Sequence, residues 1–273
     1  MKQSKITILL VWGLLLAFSS GSVFACYGAE ALGMGGAYTA LADGALAVYW
    51  NQAGLAFTDS TVEASHTVSM PQDMINYNHF AAGMYRKRKV GVGFGYTALA
   101  PWARDERWQT FGLGYRINEN WAVGGAYRQV QGVYESFPYD STGLDLSLMY
   151  RKDSLRLGLL MQDINGPSET NIYMKNIRPS VALETDKLTV GVDVYLANNL
   201  SEVFRGNPEY YQHQAGVEVR PWGKEGVLAL RGGFYHGQVT AGVGLKNLKN
   251  GFFLDLVNIP GWEVTQMTAG IRF

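Results

Sequence analysis

From residue 60 to the end, the chain divides into stretches of about ten residues in which apolar and polar positions alternate. Successive side chains of a strand face opposite ways, so each stretch has one apolar and one polar face. In 89–98, Val90, Val92, Phe94, Tyr96 and Ala98 oppose Lys89, Gly91, Gly93, Gly95 and Thr97. In 187–196, Leu188, Val190, Val192, Val194 and Leu196 oppose Lys187, Thr189, Gly191, Asp193 and Tyr195. Residues 211–220 and 238–246 behave alike, the latter with Val239, Ala241, Val243 and Leu245 on the apolar side. The terminal stretch 264–273 sets Met267, Ala269, Ile271 and Phe273 against Gln266, Thr268, Gly270 and Arg272.

The pattern predicts an all-β chain: a transmembrane antiparallel β-barrel of about 14 strands, with 12 as the alternative because the second segment, 74–86, alternates poorly. Such barrels have short periplasmic turns and longer external loops. The tight links 118–120, 152–154 and 186–187 alternate with long ones near 100–107, 132–141, 164–175 and 198–210, which places both barrel ends in the periplasm. Trp102, Trp108, Trp121, Trp222 and Trp262 fall near strand ends, where an indole suits the headgroup zone.

The chain opens with Lys2 and Lys5, continues with an apolar stretch over 6–18 and turns small and polar at 19–22, the layout of a secretory signal peptide. That stretch is shorter than the ~20 residues a spanning helix needs. Residues 1–25 are therefore set apart as a signal peptide cleaved near Ala25 and Cys26. Cys26 is the only cysteine, so no intramolecular disulfide forms. The sequence Val23-Phe24-Ala25-Cys26 loosely resembles a lipoprotein processing box, which makes Cys26 a lipidation candidate.

Hydrophobic residues are 47% and charged ones 17%, with a formal net charge of +0. Soluble domains carry nearer ~25% charge, and no basic stripe of a nucleic-acid binder is present. After the signal no apolar run is long enough for a membrane helix, so a membrane protein of this sequence must be a closed barrel with satisfied backbone groups. The polar strand faces carry Arg116, Arg128, Asp145, Arg151, Arg156, Arg178, Glu184, Asp193, Glu218, Arg220, Arg231, Lys246, Asp255 and Arg272. Mixed signs in a confined lumen predict ion-paired networks that close the interior. His66 and His213 fall on the outward face, His79 in the poorly alternating segment and His236 at an external tip near Tyr235. No nucleophile elbow, carboxylate pair or metal-ligand spacing accompanies them, so no enzyme, cofactor or metal is expected.

Residues 26–58 precede the barrel, assigned to 59–273, and do not read as a strand. They are rich in Gly and Ala, with Asp43 placed to cap a short helix. Their small residues suit close packing against a wall, and the inward positions Gly91, Gly93, Gly95, Gly112, Gly114, Gly242 and Gly244 leave room for them. A dinucleotide fingerprint at Gly33-Met34-Gly35-Gly36 is disfavoured because no buried strand precedes it and no βαβ unit follows.

The string Gly33-Met34-Gly35-Gly36-Ala37, followed by Ala42-Asp43 and then Tyr49-Trp50-Asn51-Gln52-Ala53-Gly54-Leu55, resembles the amino-terminal signature of PorV-type outer-membrane proteins. These are relatives of the FadL long-chain fatty acid transporters. The chain departs at Gln52, where the family has proline, which removes a fixed backbone angle. The resemblance implies a hatch tucked into the lumen, with Gly33, Gly35, Gly36, Asp43, Asn51, Gln52, Ala53 and Gly54 as its determinants. It implies passive transport of hydrophobic, fatty-acid-like molecules, captured by external apolar residues such as Tyr173, Met174, Val203 and Phe204. The alternative is a sealed barrel that docks a secretion-system protein. The terminal Phe273 resembles the targeting signal read by the barrel-assembly machinery of Gram-negative outer membranes, and so implies that location and that partner, with membrane lipids around the wall.

Overall fold

The computed structural model describes residues 28–69, 77–100, 104–134, 137–166, 175–197, 211–247 and 249–273. The expected signal peptide, Cys26, Trp102 and the external residues Tyr173, Met174, Val203 and Phe204 lie outside them. Strands run β1 Thr61–Ser69, β2 Tyr77–Lys87, β3 Val90–Ala100, β4 Arg104–Arg116, β5 Trp121–Tyr134, β6 Phe137–Lys152 and β7 Leu155–Gln162. They continue as β8 Asn176–Glu184, β9 Leu188–Ala197, β10 Tyr211–Val219, β11 Leu228–Tyr235, β12 Gln238–Lys246, β13 Phe252–Ile259 and β14 Val264–Arg272. Each pairs antiparallel with its chain neighbours, and β1 closes on β14 with Thr61 opposite Arg272. The count is 14, and the poorly alternating segment is a full strand, paired along its length with β3. Closure leaves no edge, so every strand finds backbone partners without water, as lipid demands.

The period-two faces are realised. Val92, Phe94, Leu113, Val181, Leu188, Val239 and Ile271 are exposed on the outside, whereas Thr97, Thr189, Asp193, Thr240, Gln266 and Thr268 are buried inside. Tyr85, Tyr115 and Trp121 stand outward near the β2–β3 and β4–β5 turns, and the Trp121 ring lies 4.7 Å from that of Tyr150. His66 and His213 stand on the outward parity of their strands.

Three expectations change. The links at 100–107 and 132–141 are largely strand, because β4, β5 and β6 extend to 13, 14 and 16 residues. Their outward positions become polar beyond Phe111, Tyr127 and Leu144, where Gln129 and Gln131 donate to the Asp140 carboxylate at 3.5 and 3.2 Å. This part of the wall therefore continues past the apolar band. On the other side, β11 and β12 meet in the external turn His236-Gly237, and β13 and β14 are joined by the short 3-10 helix Pro260–Trp262. The alternation of short and long links fails there. Trp108 is 5% exposed, on the inward parity of β4, and lies in the core instead of the headgroup zone.

Among the described residues the β1–β14 register shifts between Thr67 and Ser69, and the β8–β9 ladder is interrupted. The β8–β9 pairing runs through Asn176 opposite Ala197 and Ile177 opposite Leu196, then resumes at Ser180 opposite Asp193. Pro179 sits in the gap; it has no N–H to give, and proline is normally kept to strand edges and bulges.

Candidate functional site: the occupied lumen

Residues 28–58 lie inside the barrel and are almost wholly buried. The short helix Ala29–Gly33 packs against β11–β14, while the helix Ala47–Trp50 and the 3-10 helix Gln52–Ala56 pack against β2–β6. Small residues permit this approach. Gly91, Gly114 and Gly124 have no room for a Cβ, which would strike Leu55, Gln52 and Ala53 backbone respectively. Gly35 (φ 62°) and Gly36 (φ 74°) need left-handed backbone, and a Cβ on Gly35 would meet the Ala215 and Phe234 main chain. Gly33 approaches Gly242, and Gly54 approaches the Ala42 carbonyl. Gly244 is different from the expectation: it makes room for Arg231 and Asp255 and not for the segment.

Besides its continuation into β1, polar contacts hold the segment to the wall. Asn51 Nδ2 donates to the carbonyls of Thr39 (2.9 Å) and Leu148 (3.1 Å), and its Oδ1 accepts from the Ala53 amide at 3.1 Å. That amide also donates to Ser147 Oγ at 3.0 Å. Gln52, in the place of proline, is the first residue of the 3-10 helix, and its Nε2 donates to the Val48 carbonyl at 3.0 Å. Thr39 N donates to Asp193 at 2.9 Å, Ala40 N to Ser180 Oγ at 3.0 Å and Ala29 N to Thr268 Oγ1 at 2.8 Å. Asp43 caps no helix. Gly44 takes a positive φ and the helix starts only at Ala47, so Asp43 instead lies 3.4 Å from both Tyr38 Oη and the Arg272 guanidinium.

The lumen charges form separate groups. Arg231 binds Glu218 at 2.7 Å, Asp255, and Glu30 of the segment at 3.2 Å. Arg128 binds Asp145 at 3.3 Å and Asp163 at 2.7 Å, and Arg156 binds Glu184 at 2.9 Å. Asp193 serves the segment's amides, and Arg116 stands half-buried at the end of β4. Sequence reasoning did not include Glu30 or Asp163: Glu30 sits in the segment and Asp163 in a link, so neither carries a strand's alternation signal.

Two environments flank the segment. Toward the outside, Tyr49 of the segment, Trp108 and Val130 cluster with Tyr139 packed against them. Arg128 lies over the Trp108 ring at 5.4 Å and Arg178 over that of Tyr195 at 5.1 Å. The sequence missed this aromatic group because it assigned Trp108 to the membrane boundary. At the end of the barrel that carries the tight turns 117–120, 153–154 and 185–187 there is a cavity of about 960 Å³ with a charged lining that includes Glu30, Glu63, Arg151, Glu218, Arg231 and Arg272.

No protein-family model matches the chain, and no match was found among curated proteins. Solved structures do share its fold. The Ralstonia pickettii toluene transporter TbuX is similar with a TM-score of 0.65 at 14% identity, covering 91% of this chain and 99% of that one. The Pseudomonas putida toluene transporter TodX is similar with a TM-score of 0.64 at 11% identity, covering 93% and 98%. A Pseudomonas aeruginosa FadL homologue has a TM-score of 0.59 at 8% identity, covering 93% and 100%. The chain thus has the fold of FadL-type outer-membrane barrels.

Proposed function

We propose that this chain is an outer-membrane barrel for passive passage of small hydrophobic molecules, with residues 28–58 acting as a displaceable hatch. The observation that carries the reading is a closed, outwardly apolar barrel whose lumen is filled by a segment held by packing, hydrogen bonds and two ion pairs to the wall. Two of the solved structures with this fold are named toluene transporters, which favours compact apolar cargo, monoaromatic or fatty-acid-like. Tyr49 of the hatch, Trp108 and Val130 form a buried cluster with Tyr139 packed against it, and displacing the hatch would open its aromatic rings to such cargo. A ligand opens the hatch only to the extent that it binds the open state better than the closed one.

The charged cavity below the hatch is a poor exit for hydrocarbon. The interrupted ladder at Pro179 offers a sideways route, because the wall there lacks a hydrogen-bond step between β8 and β9. The ion-paired lumen supports a second reading, in which the barrel stays sealed and docks a secretion-system partner.

Uptake of toluene by vesicles carrying the protein separates the two. Replacing Ala53 and Ser147, whose N and Oγ lie 3.0 Å apart, by cysteines should pin the hatch on oxidation. Uptake that stops on oxidation and returns on reduction supports the gated channel; an inserted wild-type barrel with no uptake in either state rejects it in favour of docking.

A further inference from the structure

The β2–β3 turn is a dense cationic point on the periplasmic rim. Arg86, Lys87, Arg88 and Lys89 are consecutive, and Arg116 N donates to the Lys89 carbonyl at 2.8 Å while its side chain has the inward parity of β4. Arg86 is occupied by Asp59 at 3.1 Å, and Lys89 Nζ donates to the Ile117 carbonyl at 3.3 Å. Lys87 and Arg88 are exposed and have no ion pair among the described residues. Three of the other turns at this end mix signs, with Asp153 beside Lys152, Asp186 beside Lys187 and Glu225 beside Lys224, and the β12–β13 turn carries only Lys246 and Lys249.

A second observation concerns the backbone. Arg88 adopts φ 56°, a left-handed conformation that a tight hairpin normally gives to glycine or asparagine. The chain keeps an exposed cation where another residue would fit the turn with less strain. A third is the lipid-facing surface beside it: Tyr85 is 58% exposed and Tyr115 47%, and both lie outward on the wall next to this turn. Phenol rings at this level sit in the headgroup zone, which puts the turn's free cations at phosphate depth.

We propose that Lys87 and Arg88 form a binding site for the phosphate of an anionic phospholipid in the periplasmic leaflet, with Tyr85 and Tyr115 against its glycerol and upper acyl region. Cations held at this depth beside aromatic side chains fit a lipid headgroup better than a soluble anion, which would gain nothing from the tyrosines. The site rests on the membrane placement of the proposed function but not on transport: a barrel that inserts and moves no cargo can still select its lipids.

The test is native mass spectrometry of the full chain in mild detergent with equal amounts of phosphatidylglycerol and phosphatidylethanolamine. Wild type should retain phosphatidylglycerol preferentially, and retention should fall about five-fold for each free cation removed, the effect of one basic residue near an anionic leaflet. The variant Lys87→Gln/Arg88→Gly should lose the preference. Arg88→Gly relaxes the turn, so this variant stays a folded barrel, verified by its resistance to unfolding in cold detergent. The control Lys224→Gln/Lys249→Gln, elsewhere on the rim, should keep the preference. Equal retention of both lipids by wild type, an equal loss in the control, displacement of the lipid by inorganic phosphate, or retention of an acidic protein in place of lipid would overturn the proposal. Failure to insert in any vesicle would instead count against the membrane reading itself.

Discussion

The amide of Thr39 donates to the Asp193 carboxylate at 2.9 Å, joining the amino-terminal segment to a wall strand 154 residues further along the chain. Ser180 Oγ donates to the same carboxylate and accepts from Ala40 N at 3.0 Å, so one acid organises two strands and the segment. Asp193→Ala should leave buried donors unsatisfied and cost about 1–3 kcal/mol. Hydrogen exchange should rise at Thr39 and Ala40, while wall strands distant from Asp193 keep their protection. Unchanged exchange at both amides would show that packing alone holds the segment.

Arg231 is the one cation shared by Glu218, Asp255 and Glu30. Removing one partner of a buried ion pair leaves uncompensated charge and costs about 3–5 kcal/mol. Arg231→Met should therefore lower the thermal unfolding midpoint sharply, and Arg231→Met/Glu218→Gln/Asp255→Asn should recover much of it. If the triple variant is no better than the single one, the cation contributes packing and not charge neutralisation.

Gly35 combines a positive φ with main chain of β10 and β11 on its Cβ side. Gly35→Ala has to move the segment or the wall, at about 1–3 kcal/mol for overpacking. Because the segment is the softer element, we expect a loosened segment in an intact barrel, seen as faster proteolysis near residue 35 with an unchanged β-sheet signal.

His236 occupies the external β11–β12 turn, 6% exposed, with its ring 4.2 Å from that of Tyr235. Burial, and secondarily the Arg178 charge, push its pKa down to about 3 from the ordinary 6.5. A group whose folded pKa is depressed stabilises the fold fully above its unfolded value and loses that contribution as pH falls. The turn should thus open progressively below about pH 6.5 and toward pH 3. His236→Gln should remove this acid sensitivity, as read by hydrogen exchange at the turn; a wild-type turn equally protected at pH 4 and 7 would count against a buried neutral imidazole.

The barrel was legible because one face of each strand meets lipid and the other meets the lumen, so Val90, Val92 and Phe94 alternate with glycines that the segment touches. The lumenal position of Asp145, Asp193, Glu218 and Asp255 followed from the same parity. Parity does not say where along a strand the membrane ends, and β4–β6 run on past it; that is why Trp108 was assigned to the boundary although its side chain points inward. Nor does parity pair charges: Arg128 reaches Asp163, which lies just beyond the end of β7. Asp43 shows a further limit, because a capping residue type has no helix to cap when Gly44 diverts the backbone.

Pro179 gives the sharpest test of the sideways route. It is exposed on the outer face of β8, opposite Leu159 of β7, and the ladder to β9 skips its position. Valine there would restore an N–H and suit a strand's pleated surface. Pro179→Val should close the gap, with slower hydrogen exchange at Val194 and Tyr195, and should leave the segment's contacts at Asn51 and Thr39 untouched. If toluene leaves through this wall, uptake falls although the hatch still moves. If uptake is unchanged while exchange slows, the gap is a structural interruption and cargo must pass the charged cavity beneath the hatch.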